Sequence, residues 1–237
     1  MEKVIWGGVA REAVVHGLTA TMCWQEMAGE RYTINFEQLF IRRNMDREYK
    51  KQSWKPGTMI YPLPAVMVSC GATEEEYNVL TVAWVGTICS TPAMCYISVR
   101  PERYSYDIIK RNGAFVINLT TEDMAFATDW VGVKSGRDYK KFEEMGLTPR
   151  RAEMVDAPIV AESPMSIECR VKEIVPLGSH DMFIAEVVNV LADERYIDKE
   201  TGEFRLSDAK LMAYSHGHYY KLGEEIGRFG WSVRKKK

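Results

Sequence analysis

A mainly β fold is predicted by this sequence: a barrel or sandwich of short antiparallel strands with a few short helices. Two observations carry that prediction. From Tyr61 onward the chain breaks into short runs rich in Val, Ile and aromatic residues, bounded by Gly, Pro and Asn. Helical spacing is confined to a few brief stretches, which argues against a bundle or a doubly wound sheet.

Taken in order, residues 65–69, 79–85 and 94–99 read as strands. Pro101 fits the first helical position, where a missing N–H costs nothing, so a helix is expected over 101–112 with Gly113 as its stop. A further strand follows at 114–119. Glu122 and Asp123 suit the start of a helix over 121–131, and a short helix is expected at 139–145. Residues 165–175 and 183–191 alternate apolar and polar side chains around the hairpin loop 176–180, and 206–212 reads as a short helix.

Composition narrows the function. The chain has 237 residues, enough for one large domain or two small ones, and a formal charge of −2. That balance excludes a global field for nucleic acid or an anionic membrane, and the basic end 234–237 reads as a solvated terminus. No apolar run reaches the ~20 residues of a membrane helix. The stretch 4–24 is interrupted by Arg11, Glu12 and His16 and is no signal peptide. Five cysteines (Cys23, Cys70, Cys89, Cys95 and Cys169) form no zinc or disulfide pattern and point to a reducing, cytoplasmic compartment.

The chemistry concentrates at Ser98-Val99-Arg100-Pro101-Glu102-Arg103-Tyr104-Ser105. A strand feeding a helix start offers unpaired N–H groups and a positive dipole end. Two arginines and two serine hydroxyls around that start suit a phosphate monoester. Standing alone, the same residues are also a surface arginine pair beside a helix.

They do not stand alone. Tyr61-Pro62-Leu63-Pro64, Asn78-Val79-Leu80-Thr81-Val82-Ala83-Trp84, Gly113-Ala114-Phe115-Val116-Ile117-Asn118, Ser135-Gly136-Arg137-Asp138 with Lys141-Phe142, and His216-Gly217-His218-Tyr219 follow in a fixed order. From about Trp54 to Trp231 this order resembles the flavin reductase-like family, on its flavoredoxin side. The resemblance implies an antiparallel, Greek-key, FMN-binding split barrel over 45–237, with 1–44 an extension matching nothing in the family and Met45 a natural start.

What the resemblance implies about the site is specific. Ser98, Arg100, Arg103, Tyr104 and Ser105 would cradle the FMN phosphate. Asn78, Thr81, Val82, Ala83 and Trp84 would run beside the ring, with Thr81 packing and donating at once. Ala83 stands where the family often has Ser and would act through its backbone. Asn118 would lie near the cofactor, although Asn at a strand end equally suits a turn. Lys134 and Ser135 would approach the pocket, from either subunit, and His218 and Tyr219 would contact the flavin or shape its nicotinamide face. The Tyr139-Lys140-Lys141-Phe142 run lacks the acid usual in the family. The pair His216 and His218 has no acid or cysteine suitably placed beside it for a metal site.

No G-x-G-x-x-G or Walker loop is present, so NAD(P)H would stack directly on the flavin. Three activities follow from the resemblance: an NAD(P)H:flavin oxidoreductase, with a flavin-dependent monooxygenase as one partner; a flavoredoxin-type electron carrier with a redox partner protein and no direct NAD(P)H use; and a non-enzymatic flavin- or haem-binding protein. A homodimer is expected in each, with 134–138 and the segment around Tyr219 closing the flavin face across the two-fold axis.

Overall fold

A computed structural model of the chain describes residues 49–233 and, before them, four strands by their backbone: β1 (Arg11–Val15), β2 (Leu18–Met22), β3 (Trp24–Met27) and β4 (Glu30–Thr33). These four pair as two antiparallel hairpins, β1 with β2 and β3 with β4, in a stretch where the sequence shows no period. Met45 and the basic end 234–237 lie outside the described residues. The chain divides into two compact units, Met1–Gly57 and Thr58–Lys237.

The second unit is built on strands. They are β5 (Leu63–Pro64), β6 (Val66–Cys70), β7 (Asn78–Val82), β8 (Val85–Ser90), β9 (Ala93–Val99), β10 (Ala114–Asn118), β11 (Pro149–Arg151), β12 (Pro158–Val160), β13 (Met165–Pro176), β14 (Asp181–Ala192), β15 (Met212–Ser215) and β16 (His218–Lys221). Its helices are α1 (Tyr104–Asn112), α2 (Ala125–Val133) and the single turn α3 (Lys141–Glu144).

Seven strands form one antiparallel sheet in the order β7-β6-β10-β13-β14-β9-β8. Within it β10-β13-β14-β9 is a Greek-key arrangement, because β9 precedes the other three in sequence yet closes their far side. The two edge strands, β7 and β8, are consecutive in the chain and joined only by Ala83 and Trp84. The sheet therefore curls until its edges meet at that corner, where the Ser98 N–H donates to the Trp84 carbonyl at 2.8 Å. The result is a barrel split along one seam.

Alternation sorts the buried side chains onto opposite faces of the sheet. Val66, Val68 and Cys70 of β6 point inward with Phe115, Ile117, Ile97 and Phe183, while α1 adds Tyr106, Ile108 and Ile109. Met67 and Val79 point the other way and pack with Met124 and Val131, at the start and in the body of α2, and with Phe142 of α3. β6 and β10 are thus buried on both faces, which explains their near-continuous apolar runs.

Several expectations change. The run 79–85 is two strands, since the chain turns the barrel corner at Ala83–Trp84. Pro101 is not helical: residues 101–103 form a turn, with the Arg103 N–H donating to the Arg100 carbonyl, and α1 begins at Tyr104 behind an extended Arg103. Gly113 does end α1, at φ 65°, with its N–H on the Ile109 carbonyl. The helix expected from residue 121 starts as a 3-10 turn, Glu122–Met124, and is α-helical only from Ala125. Residues 139–145 hold only the turn α3, and 206–212 is the 3-10 turn Leu206–Ala209 running into β15.

Candidate functional site

The seam of the barrel is a groove made of two recesses, about 480 and 350 Å³, which share Leu80, Arg100 and Arg103. The smaller recess is the charged end. It lies at the N-terminus of α1, where Arg103 supplies no side-chain cap and the first N–H groups of the helix keep no intrahelical partner. Arg100, Arg103, Lys134, Arg137 and Lys141 line it, with Glu102 as its one acid. Tyr104, Ser105 and Asn78 complete the wall, and the Asn78 amide donates to the Ser105 hydroxyl at 2.6 Å, while that hydroxyl also hydrogen-bonds the Cys70 thiol.

The loop after α2 is held over this end. Gly136 is there because nothing larger fits: a Cβ would lie 2.4 Å from Asn78 Oδ1 and 2.5 Å from Tyr104 Cδ1. Arg137 crosses the Tyr104 ring at 5.7 Å and donates to the Glu102 carbonyl. Lys134 and Ser135 thus reach the recess within the same chain, and no partner subunit is needed to bring them there.

Lys141 was not expected at the site, although its run stood out in the sequence. It is only 4% exposed, and its Nζ donates to the carbonyls of Val79 at 2.9 Å and Val131 at 2.7 Å. Burial first, and Arg103 second, bring its pKa down to about 8.

The larger recess is the aromatic end. Thr81, Val82, Ala83, Trp84 and Ser98 form its floor. The Thr81 hydroxyl donates to the Thr128 carbonyl of α2, so it is committed to packing and only its acceptor lone pair remains, which corrects the donor role expected for it. Trp84 lies parallel to His180, with ring centroids 6.0 Å apart and planes 6° apart. Burial, then Arg100, holds His180 below the ordinary histidine pKa, so it is a neutral ring at neutral pH.

The other wall comes from the C-terminal hairpin β15–β16, which adds to β5. Tyr214 and Tyr219 face the groove from it, and the Tyr219 phenol donates to Asp129 of α2 at 3.1 Å. Burial, then Asp129, pushes that phenol up to about 12.

Two expected residues are not at the groove. Asn118 is fully buried and all its polar capacity is used inside the barrel: its amide donates to the Met67 carbonyl and the Ser69 hydroxyl, while its oxygen accepts from the Val160 N–H and the Ser166 hydroxyl. His218 is exposed at the start of β16 and meets the Tyr220 ring edge-on instead. Asp129, His180 and Tyr214 were missed. They are placed by long-range pairing that no local pattern announces, and His180 sits in a hairpin loop read only as a turn.

The match that decides the family spans most of this unit: the model of the flavin reductase-like domain fits residues 58–223. The chain belongs to the flavin reductase-like family. Its fold superposes on the flavoredoxin of Desulfovibrio vulgaris (Miyazaki F) with a TM-score of 0.72 and 30% identity, covering 78% of this chain and 100% of that one. An FMN-binding protein from Thermus thermophilus is similar in fold, with a TM-score of 0.63 and 24% identity over 77% of this chain and 99% of that one. Among curated proteins, the reductase component of a Rhodococcus opacus 4-nitrophenol 4-monooxygenase/4-nitrocatechol 2-monooxygenase is 30% identical over 47% of this chain and 57% of that protein. In this family member the residues of the charged recess fit a phosphorylated flavin: orphan helix N–H groups, clustered cations and a buried amine stand where a phosphate would lie. Among the described residues no helix is long and apolar enough to cross a membrane.

Proposed function

We propose that the groove holds FMN, phosphate at the α1 end and ring between Trp84, His180, Tyr214 and Tyr219, and that the protein passes a hydride or electrons between NAD(P)H and flavin or a redox partner. The observation that carries this reading is the division of one groove into a cationic end and an aromatic end. FMN has the same division.

The flavin, when bound, supplies the redox chemistry. This chain's residues bind and orient. Arg100, Arg103, Lys134 and the Ser105 hydroxyl would hold the dianion, and the α1 N–H groups would add backbone donors. The seam residues Thr81 to Trp84 would set the ring edge against the barrel, and the Tyr219–Asp129 contact holds the outer wall in place. No side chain in the groove needs to act as a general acid or base for hydride transfer.

The protein is read as a homodimer. Phe126 and Val133, one helical face of α2, are 76% and 69% exposed, and Val133 also lines the groove. A second copy on that face would cover both the apolar stripe and the open side of the flavin. The physiological partner would be a flavin-dependent monooxygenase or a redox protein, as the Rhodococcus relative and the Desulfovibrio flavoredoxin suggest.

Anaerobic mixing of the FMN-loaded protein with NADH and with NADPH tests the reductase reading. Bleaching of the flavin band by either nucleotide supports it. A band that stays oxidised with both, yet is reduced by dithionite, leaves the electron-carrier reading, which the 30% identity to flavoredoxin favours.

A further inference from the structure

We propose that Lys141 makes the groove selective for phosphomonoesters in a pH-dependent way: in mildly alkaline solution it takes up a proton as the dianion enters, so that there the filling of the phosphate end and the charging of this buried amine are coupled. The proposal rests on the flavin reading above and goes beyond it by naming the residue and the proton.

The geometry comes first. Lys141 opens α3 with its amine inside the protein, on the wall of the charged recess. An ammonium has three donors, and two are used on the carbonyls of Val79 and Val131. These carbonyls belong to β7 and to the last turn of α2, which fixes the amine at the meeting point of the two elements that carry Thr81, Asp129 and Val133. The third donor remains for the recess.

No carboxylate forms an ion pair with Lys141 among the described residues. The charged and titratable groups around it are Arg100 and Arg103 from the turn before α1, Lys134 and Arg137 from the loop after α2, Glu102, and the Cys70 thiol at the end of β6. Burial pushes Cys70 up to about 12, so that thiol stays neutral and supplies no counter-charge. A buried ammonium among cations is costly, so this amine gives up its proton at a lower pH than an exposed lysine does. The anion missing from this arrangement is the one a phosphate ester would bring.

The sign follows from linkage. The empty site holds Lys141 near pKa 8, and a dianion beside it raises that value. Between the two values the bound state carries more protons than the free state, so affinity weakens as pH rises through about 8. A phosphate ester completes its second ionisation near pH 6. Above neutral pH its charge is therefore constant and cannot produce the effect. Riboflavin, with the same ring and no phosphate, is the internal control.

The experiment measures dissociation constants of FMN and riboflavin by flavin fluorescence from roughly pH 7 to pH 9.5, with calorimetry in two buffers of different protonation enthalpy near pH 8.5. The expected result is an FMN constant that rises about tenfold or more over that range, a riboflavin constant that stays flat, and a net proton uptake with FMN only. Lys141→Met and the permanently charged Lys141→Arg should both lose the pH dependence, and either one suffices if the other fails to fold. A flat FMN constant in the unaltered protein, or a pH dependence that survives in the variants, overturns the proposal while leaving FMN binding intact. Binding of neither flavin at any pH overturns the functional reading and the proposal with it.

Discussion

Arg103 Nη1 lies 3.1 Å from the carbonyl oxygen of Gly132, so a cation of the charged recess also caps the last turn of α2. Lys141 does the same for Val131 one residue earlier. The helix that walls the aromatic end is thereby anchored by side chains of the charged end, which ties the two halves of the groove together.

Arg100→Ala and Arg103→Ala should therefore differ in kind. Each removes a charge-assisted phosphate contact worth ~1.5–3 kcal/mol, or very roughly ten- to hundredfold in FMN affinity. Arg103→Ala should also lower thermal stability, because the Gly132 carbonyl loses its donor, whereas Arg100→Ala should not. Flavin titration and melting of the two variants and the double variant check this, and the losses in affinity should not add because one dianion is shared.

Gly132 of α2 packs closely against Thr81 of β7. A Cβ there would lie 2.9 Å from Thr81 Cβ and 3.2 Å from its hydroxyl. Gly132→Ala, helpful for helix propensity, should instead push α2 off the strand and cost about 1–3 kcal/mol of stability. Denaturant unfolding reads the cost, and a stabilised variant would show that the helix shifts freely.

The removal of Asn118 should damage the barrel and not the site. Asn118→Ala leaves the Val160 N–H and the Ser166 hydroxyl without their acceptor and the Ser69 hydroxyl without its amide donor, at about 1–3 kcal/mol for each buried group left unpaired. Where the variant folds at low temperature, its FMN affinity should match that of the unaltered protein, since Asn118 lines neither recess.

These residues also show what was legible in the sequence. The charged end was partly readable because one continuous segment, Arg100 to Ser105, supplies five of its twelve lining residues. The direction of Thr81 was not: a strand pattern says which face a hydroxyl is on, not that a helix 47 residues later will take its proton. Asn118 looked like a site residue through the resemblance alone, and β6 and β13 on either side of β10 turn it into a tie. The corner at Ala83–Trp84 was hidden because the apolar run of β7 continues through both residues into Val85, where β8 begins. The aromatic end was assembled by contacts across the whole domain, from the β13–β14 hairpin to the C-terminal one, and was visible only where a resemblance named Trp84 and Tyr219.

The dimer proposal has its own check. Light scattering should give about twice the 27.2 kDa chain mass, and Phe126→Asp should shift the protein toward the monomer by placing a charge in the apolar stripe. A protein of single-chain mass that holds FMN tightly would show that one chain is a complete site.

The most direct test of the central claim is a binding titration of the unaltered protein with FMN and with riboflavin near neutral pH. The groove described here predicts saturation at one FMN per chain, and riboflavin held at least about tenfold more weakly for want of the phosphate contacts. Equal affinity for the two flavins, or no saturable binding of FMN, would contradict the assignment of the α1 end as a phosphate site.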